Sequence, residues 1–548
     1  MDNQRLIFFI IFSFSILLLW DAWQKEHYPA QPVQQTKAAS PTVGAATPQP
    51  SAVVPAGAGA IAENKVETLQ SGSRIKVQTD VFLAEIDTAG GDLRHLELLK
   101  HHDTDDRSKN LTLYEDKGLR TYIAQSGLIG HGLPNHKSTY TANAAAYKIA
   151  ENENQVQVKL NWSDPNGLSV EKTYTFHKNS YLIEVGYEIT NNSQTRLNPH
   201  AYYQILRDGK PPLGDPKFIT TYTGPAVYTD KEKFQKIDFS DIDKGKEKYL
   251  KQADDGWIAM LQHYFFSAWL PQGNQPREFY TKKIGELYAA GLIVPVAAIE
   301  PGAKLSTKMS LYAGPQEQDN INKLAPGLDL VVDYGMLTII ATPIFWVVQL
   351  INKSVQNWGI SIILLTVLIK LAFYPLSAKS YHSMAAMRVV APKLQKLKDQ
   401  YGDDRQRLHQ AMMELYKTEK INPLGGCLPI VVQMPVFIAL YWVLLYSVEM
   451  RQAPFMGWIQ DLSAPDPYYV LPIIMGITMI IQTKLNPTPT DPIQAKVMMI
   501  MPVAFSVFFF FFPAGLVLYW LVNNILSIAQ QWQINRSVER AKATKGHG

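Results

Sequence analysis

The sequence predicts a polytopic α-helical membrane protein, with an N-terminal anchor and a five-helix core, that carries a large antiparallel β-sandwich outside the membrane. Three observations predict this multidomain fold class. The chain of 548 residues begins with an apolar run, continues with a long segment of alternating apolar residues, and ends in a series of apolar runs of membrane length. This length allows several domains, and a net charge of only +4 argues against a general nucleic-acid binder.

The N-terminal run indicates a membrane anchor. Residues 6–20 are apolar, with Arg5 before them and the bulky, polar stretch WDAWQKEHY after them. A cleaved signal peptide would end in small residues, so we expect residues 1–24 to form an uncleaved transmembrane signal anchor. Residues 25–62 are rich in Pro, Ala, Gln and Thr and contain almost no large apolar side chains, which predicts a flexible tether.

Residues 63–325 are predicted to form the β-sandwich. Stretches such as RIKVQTDVFLAEID, QVQVKLNW and YLIEVGYEI place an apolar residue at every second position, as in strands with one buried and one wet face. Turn sequences such as AGGD, DPNG and TNNS separate these strands. The sequence has no spaced His/Asp cluster, no Gly-rich phosphate loop and a single cysteine, Cys427. We therefore expect a protein that is not an enzyme and that has no metal or other cofactor.

A series of apolar runs predicts the membrane core within residues 356–535. The segment 377–423 carries nine Lys and Arg residues, which predicts a cytoplasmic position. Another apolar segment, Tyr334–Ile351, would place this charged segment outside if it crossed the membrane. We therefore expect residues 326–355 to form an amphipathic helix in the outer interface. The five core runs are Trp358–Leu376, Leu424–Ser447, Tyr468–Ile481, Val497–Phe512 and Leu516–Trp532.

The charged segment 377–423 is itself predicted to form a helical hairpin. Apolar residues recur at three- and four-residue steps on both sides of the sequence YGDD, as in two helices that pack against each other. Asp403 or Asp404 is expected to cap the second helix. Positive side chains in residues 536–548 predict a cytoplasmic tail. The N-terminus is then also cytoplasmic, and the sandwich lies outside.

Lys370 lies within the first core run, six residues and therefore about 9 Å before its inner end. Two interpretations remain open: the side chain extends to the inner head groups, or it faces a water-filled cavity open to the cytoplasm. Thr366, one turn earlier, would line the same cavity. No core run contains Asp or Glu, so such a cavity suits a visiting anion. Polar residues in or at the ends of the other runs also indicate a wet interior: Gln433, Gln482, Asn523 and Asn524.

Several long motifs carry a family resemblance, among them YPLSAKSYHSMAAMR, GDDRQRLHQAMMELYK, INPLGGCLPIVVQMPVFIALY, DLSAPDPYYVLPI and FPAGLVLYW. Over nearly its whole length, the chain resembles the YidC/Oxa/Alb family in its Gram-negative form with a large periplasmic domain. The resemblance implies that the sandwich is a periplasmic β-supersandwich of the galactose-mutarotase type. It also implies that the core helices form a hydrophilic groove open to the cytoplasm and to lipid. A shared fold does not make the sandwich a sugar enzyme.

The resemblance also implies roles for particular residues. The positive residue of the family's groove, usually arginine, falls on Lys370, which keeps the charge but lacks the guanidinium's fork of donors. Trp520 stands where tyrosine is common, so only aromatic surface is kept there. The contact face along which an incoming substrate helix slides maps onto Thr366, Met434, Val436, Phe437, Phe508, Tyr519 and Trp520.

These features and the family resemblance predict a membrane-protein insertase and chaperone for nascent membrane proteins in the bacterial inner membrane. The resemblance implies that it acts alone or with the Sec translocase. The basic hairpin and tail suit contacts with ribosomes or targeting factors, without a specific nucleic-acid site. A secondary transporter is an alternative, but it usually shows inverted repeats, and none is visible here. A membrane-tethered protein that binds or processes glycans is another alternative, although it leaves the five core runs unexplained.

The predicted topology can be tested with single cysteines in a Cys427→Ser background. Because the positive charges of the hairpin keep it in the cytoplasm, a membrane-impermeant thiol reagent should label Lys353→Cys on intact spheroplasts and leave Lys398→Cys unlabelled. Lysed cells, in which both positions should react, provide the control. Labelling of Lys398→Cys alone would reverse the topology.

Overall fold

A computed structural model of the chain describes residues 69–118, 120–212, 221–402, 404–419, 428–486 and 492–545. The predicted anchor and tether lie outside the described residues. The described chain divides between Val331 and Val332 into two compact units. The first unit is a β-sandwich and the second is helical.

The first sheet of the sandwich is built from ten strands: β1 (Arg74–Gln78), β2 (Phe82–Asp87), β3 (Asp92–His102), β4 (Asn110–Tyr114), β5 (Tyr122–Ile129), β7 (Ala146–Lys148), β11 (His200–Asp208), β14 (Gln252–Ala253), β17 (Arg277–Ile284) and β18 (Leu287–Pro295). Their order is β14-β17-β18-β11-β5-β3-β2-β1-β7, and β4 pairs with β3. The pairs are antiparallel except β1 and β7, which run parallel, so the predicted purely antiparallel arrangement is wrong at this edge.

The second sheet contains nine strands: β6 (Thr141–Ala142), β8 (Gln155–Ser163), β9 (Leu168–His177), β10 (Leu182–Asn191), β12 (Gly224–Thr229), β13 (Lys233–Lys236), β15 (Trp257–Leu261), β16 (Phe265–Leu270) and β19 (Lys304–Pro315). Their order is β13-β12-β15-β16-β19-β10-β9-β8-β6, with antiparallel pairing throughout. Two short helices, α1 (Phe239–Lys244) and α2 (Gln318–Ile321), and a 3₁₀ turn at Leu328–Val331 complete the unit.

The predicted alternation marks only some of the strands. In β8, Val158 and Leu160 are buried while Gln157 and Lys159 are exposed, as the period of two requires. Strands β12, β15 and β16 are instead buried on both faces. Their sequences, such as FFSAWL in β16, are nearly continuous apolar runs, because a strand covered on both sides has no wet face to mark with polar residues.

Within the described residues, the second unit contains eight helices: α3 (Thr338–Val355), α4 (Trp358–Ala372), α5 (Tyr374–Tyr401), α6 (Arg405–Thr418), α7 (Leu428–Tyr446), α8 (Val470–Leu485), α9 (Pro492–Phe508) and α10 (Ala514–Lys545). Short 3₁₀ turns lie at Gly335–Leu337, Val448–Met450 and Phe509–Phe511. Helix α10 packs against α4, α5, α7 and α8. Residues on α10 can therefore contact several of the other helices at once.

The described helices differ in whether they are long and apolar enough to cross a membrane. Within the described residues, α3 is the one helix that is long and apolar enough, and the bent pair α4 and α5 also qualifies if it is taken as one span. Shorter apolar helices lie at Val432–Tyr446, Val470–Leu485 and Ala495–Phe511. The interfacial position of α3 stays a prediction. Its Phe345 is buried whereas Ile339 and Trp346 are exposed, so its outward face is apolar and suited to lipid.

The first core run does not continue as one helix to Leu376, as the sequence analysis expected. Helix α4 ends at Ala372, and α5 begins at Tyr374 after a bend of 68°. Pro375 explains the break, because its ring would clash with the carbonyl of Leu371 and it has no N–H to donate. Lys370 consequently lies in the last turn of α4, about 3 Å in helical rise from the end of that helix, and not the 9 Å expected above.

The segment after this bend forms two helices, α5 and α6, which pack against each other. The carboxylate of Asp404 caps α6 by accepting a hydrogen bond of 3.1 Å from the backbone N–H of Arg407. Asp403, the other predicted cap, lies outside the described residues. Lys393 of α5 is 2.5 Å from the carboxylate of Glu419, just after α6. The ion pair between Lys393 and Glu419 joins the two helices of the hairpin.

The connection between α7 and α8 packs on the N-terminal ends of α4 and α10. The ring of Phe455 lies so close to Gly359 that a Cβ there would be 2.0 Å from it. Asn357 donates to the carbonyl of Phe455 at 2.9 Å. Ala514 N–H donates to the carbonyl of Ala464 at 2.7 Å. This end of the helical unit is therefore filled by side chains and joined by backbone hydrogen bonds.

Gly256 is a position where the sandwich requires glycine. Its φ is +91°, and a Cβ would lie 1.9 Å from the carbonyl oxygen of Tyr228. Gly256→Ala should lower the free energy of unfolding of the isolated sandwich by clearly more than about 2 kcal/mol, because the left-handed backbone alone costs about 1–2 kcal/mol. The measurement is urea unfolding followed by near-UV circular dichroism.

Gly273 provides the matched control for this substitution. Its φ is +71°, and nothing lies within 4 Å of the position that a Cβ would take. Gly273→Ala should therefore show only the backbone cost of about 1–2 kcal/mol. Equal losses at the two positions would contradict the close approach of Tyr228.

Candidate functional site

Lys370 is partly buried between helices. Its Nζ donates a 2.7 Å hydrogen bond to Oγ of Ser527, a buried residue of α10. Among the described residues, no carboxylate forms an ion pair with it. Its place in the last turn of α4 is favourable for a cation, because the C-terminal end of a helix carries partial negative charge. The ammonium thus joins α4 to α10.

The hydrogen bond of Lys370 continues into a polar cluster that spans three helices. Ser527 donates to the carbonyl oxygen of Asn523, one turn earlier on α10, at 2.7 Å. Gln433 of α7 donates from Nε2 to Oδ1 of Asn523 at 2.6 Å, and the same amide lies 3.3 Å from the hydroxyl of Tyr519. The structure therefore brings together three of the residues that the sequence selected: Lys370, Gln433 and Asn523.

The other polar candidates lie elsewhere. Asn524 donates from Nδ2 to Oγ1 of Thr478 at 3.4 Å, so it joins α10 to α8. Adjacent residues on a helix point about 100° apart, which explains why Asn523 and Asn524 have different partners. Thr366 is fully buried and donates to the carbonyl oxygen of Ile362 in its own helix at 2.7 Å. Gln482 is partly exposed on α8.

Aromatic side chains pack directly beside the polar cluster. The ring of Phe437 is stacked on Tyr519 at a centroid distance of 6.2 Å and meets the edge of Trp520 at 4.6 Å. Trp520 also contacts Phe509 at 5.8 Å. Tyr519 has no exposed surface, so it belongs to the interior of the unit and links the aromatic and polar clusters.

Two of the predicted contact residues have large exposed surfaces. Met434 is 42% exposed and Phe508 is 55% exposed. Phe508 packs against Phe512 at a centroid distance of 4.7 Å. Val436 and Phe437 are partly exposed. An apolar surface on α7 and α9 is therefore available to lipid or to another apolar segment, and the assignment of a substrate helix to it stays a prediction.

Ser527 is the residue of this site that the sequence analysis missed. A signal was present, because Ser527 lies four residues after Asn523 and residues four apart share one face of a helix. A single serine in an apolar run is not a strong signal, since its hydroxyl commonly bonds to a carbonyl of its own helix. Ser527 makes such a bond and contacts Lys370 as well.

The sandwich has buried carboxylates, and their contacts are structural. Asp92 accepts hydrogen bonds from Arg94 at 3.2 Å and from Gln125 at 2.8 Å. Asp87 lies 3.0 Å from Arg74. In the part of the chain that the structure describes, no three His, Cys, Asp or Glu side chains form a possible metal site. The expectation of no cofactor stays a prediction.

Helices that partly bury a lysine and expose apolar side chains, together with a unit built as a two-sheet sandwich, indicate a membrane protein with a large β domain. Residues 74–347 match the family described as the YidC periplasmic domain, and residues 350–542 match the family described as the 60Kd inner membrane protein. The chain therefore belongs to the YidC family of membrane protein insertases, which confirms the resemblance noted above. Its sandwich is the periplasmic domain of an inner-membrane protein.

Curated relatives match the chain from end to end. The membrane protein insertase YidC of Methylobacillus flagellatus is 59% identical over 550 residues, covering 100% of this chain and 99% of the relative. That of Nitrosospira multiformis is 56% identical over 560 residues, covering 99% and 98%. A crystal structure of an active YidC insertase with its first transmembrane domain resolved has a TM-score of 0.41 and 18% identity, covering 84% of this chain and 92% of that one.

Trp520 tests whether the aromatic cluster depends on ring surface or on hydrogen bonding. Its indole nitrogen is buried and makes no hydrogen bond within the described residues. Trp520→Phe should therefore cost clearly less free energy of unfolding than Trp520→Ala, because it keeps an aromatic ring and loses no hydrogen bond. Trp520→Ala should cost about 3–5 kcal/mol, because it removes the contacts with Phe437 and Phe509. The measurement is thermal unfolding in detergent, and equal losses in the two variants would show that the indole N–H has a partner.

Proposed function

We propose that this chain inserts newly made membrane proteins into the inner membrane and assists their folding, alone or together with the Sec translocase. One observation carries the proposal. The ammonium of Lys370 is held between helices by Ser527, and no carboxylate pairs with it among the described residues. A cation within a membrane segment is costly, and such residues commonly mark a functional site. The end-to-end identity to curated insertases supports the same conclusion.

The polar step is the passage of the substrate's outer tail. Each unsatisfied polar group of the tail costs several kcal/mol in hydrocarbon. A groove that contains Lys370, Asn523 and Gln433 shortens the apolar part of the path and offers hydrogen-bonding partners. The ammonium attracts acidic residues of the tail. The membrane potential then draws them outward with about 2.3 kcal/mol per charge for each 100 mV.

The apolar step is the movement of the substrate's hydrophobic segment into lipid. The exposed side chains of Met434 and Phe508 offer a surface for this segment beside the aromatic cluster of Phe437 and Trp520. Contact with that surface keeps the segment out of water until it enters the bilayer, and the transfer is favourable by the hydrophobic effect. No step of this route requires nucleotide hydrolysis or a catalytic residue.

The proposed orientation puts both termini and the hairpin in the cytoplasm, with five core spans after the N-terminal anchor. The positive charges of the hairpin and of the C-terminal tail favour this orientation. The same charges suit ribosomes or targeting factors, which present acidic surface or RNA. No observation favours the alternatives of a secondary transporter or a membrane-tethered glycan-binding protein.

Substitutions of Lys370 test the role of its charge. Lys370→Arg should be nearly silent, because it keeps the positive charge. Lys370→Ala should impair insertion most for substrates with acidic outer tails. Lys370→Glu should be worst, because it repels such tails and adds an anion within the membrane. The measurement is insertion of one single-span substrate, with its outer tail made acidic or neutral, at matched levels of each variant.

The same comparison distinguishes a lysine that attracts the substrate's tail from a lysine whose charge has no role in insertion. If Lys370 only extended to the head groups, Lys370→Ala would be tolerated for both tails. Equal insertion of the acidic tail by Lys370→Ala and Lys370→Glu would therefore contradict the electrostatic account. A weak effect on neutral tails is expected, because those tails have no charge for the ammonium to attract.

A further inference from the structure

Ser527 is placed and oriented as an acceptor for the ammonium of Lys370. A hydroxyl has one hydrogen to donate and two lone pairs to accept with. The hydrogen of Ser527 is directed to the carbonyl of Asn523 at 2.7 Å. Its lone pairs are then available to the ammonium of Lys370, which lies 2.7 Å away. A hydrogen bond with a charged donor is roughly twice as strong as a neutral one.

Ser527 is itself held in place by its surroundings. It is 3% exposed, and its neighbour Asn523 is fixed by Gln433 of α7 at 2.6 Å. Lysine, by contrast, has a long and flexible side chain, and Lys370 lies in the last turn of α4. Without an acceptor inside the bundle, its ammonium can reach the head groups by turning toward the end of the helix. The hydrogen bond to Ser527 therefore favours the position of the ammonium inside the bundle over a position at the head groups.

We propose that Ser527 is a positioning residue that holds the ammonium of Lys370 inside the bundle and thereby sets the preference of the insertase for substrates with acidic outer tails. The inference rests on the proposed function, because it presumes that the charge of Lys370 acts on a substrate. Lys370 supplies the positive charge, and Ser527 has the different role of fixing where that charge lies. Ser527 supplies no charge. Its hydroxyl also hydrogen-bonds the side chain of Tyr381 on α5, so the test must separate an effect on the ammonium of Lys370 from an effect on Tyr381.

The experiment compares insertion of one single-span substrate with an acidic or a neutral outer tail by the full chain. Ser527→Ala should lower the ratio of acidic to neutral insertion by about tenfold, which corresponds to the lower end of the contribution of one hydrogen bond to a charged group. Ser527→Thr should restore the ratio, because it keeps the hydroxyl. Ser527→Cys, a weak acceptor of similar size, should behave like Ser527→Ala and replaces it if that variant does not accumulate.

Ser361→Ala is the matched control. Ser361 is also a buried serine of a core helix, and its hydroxyl donates to a carbonyl one turn earlier, that of Asn357, at 2.8 Å. It makes no contact with Lys370 among those that the structure describes. Its removal should leave the ratio unchanged. A general loss of helix stability would instead lower insertion of both tails in Ser527→Ala, without rescue by Ser527→Thr, and that result would overturn the proposal.

A double-mutant cycle separates this proposal from the proposed function itself. If Ser527 acts only through Lys370, Ser527→Ala should change the ratio no further in a Lys370→Ala background. An additional change there would overturn the positioning role while leaving the role of Lys370 intact. If Lys370→Ala alone leaves the ratio unchanged, both the charge account and the positioning role fail. If neither tail depends on the chain for insertion, the proposed function fails as well.

Discussion

The helical unit depends on the way in which it accommodates one ammonium group. Taking a charge out of water costs several kcal/mol even after the surroundings relax, and Lys370 meets this cost with a hydrogen bond to Ser527 and the partial negative charge at the end of its helix. Apolar packing alone distinguishes poorly between rotations of a helix in lipid, because lipid is as apolar as the side chains. The bonds among Lys370, Ser527, Asn523 and Gln433 therefore specify how α4, α7 and α10 face one another.

The two ends of α4 are built differently. At its N-terminal end, Gly359 admits the ring of Phe455, and the α7–α8 connection is hydrogen-bonded to Asn357 and to the start of α10. At its C-terminal end, Pro375 stops the helix and turns the chain into α5. The polar cluster lies next to this turn. The α7–α8 connection thus packs on one end of α4, while the charged side chain of Lys370 lies near the other.

Sequence patterns predicted some of the helices and strands and missed others, and the difference has physical reasons. Long apolar runs predicted the core helices, and alternating apolar residues predicted strands such as β8. Both patterns arise because apolar residues are placed on the faces that do not contact water. Strands buried on both faces, such as β16, have no alternation of apolar and polar residues, so the period of two could not predict them. The break at Phe373 was missed because the apolar run continues through it, although Pro375 marked the place. Asn523 and Asn524 were expected to line the same wet interior. Because adjacent helical residues point in different directions, Asn523 bonds to Gln433 and Asn524 bonds to Thr478.

The chemistry of an ammonium also explains why lysine suits this place. An ammonium has three donors that rotate about one bond, whereas a guanidinium has five donors in a rigid plane. Ser527 offers a single hydroxyl whose own hydrogen is already directed to Asn523. A lysine can keep this bond and still turn another donor toward an incoming carboxylate. An arginine keeps the charge and can donate to the same acceptor, but its other N–H groups lie in one rigid plane and cannot turn independently. One serine therefore holds a lysine well, and the held ammonium retains the capacity to bind an anion.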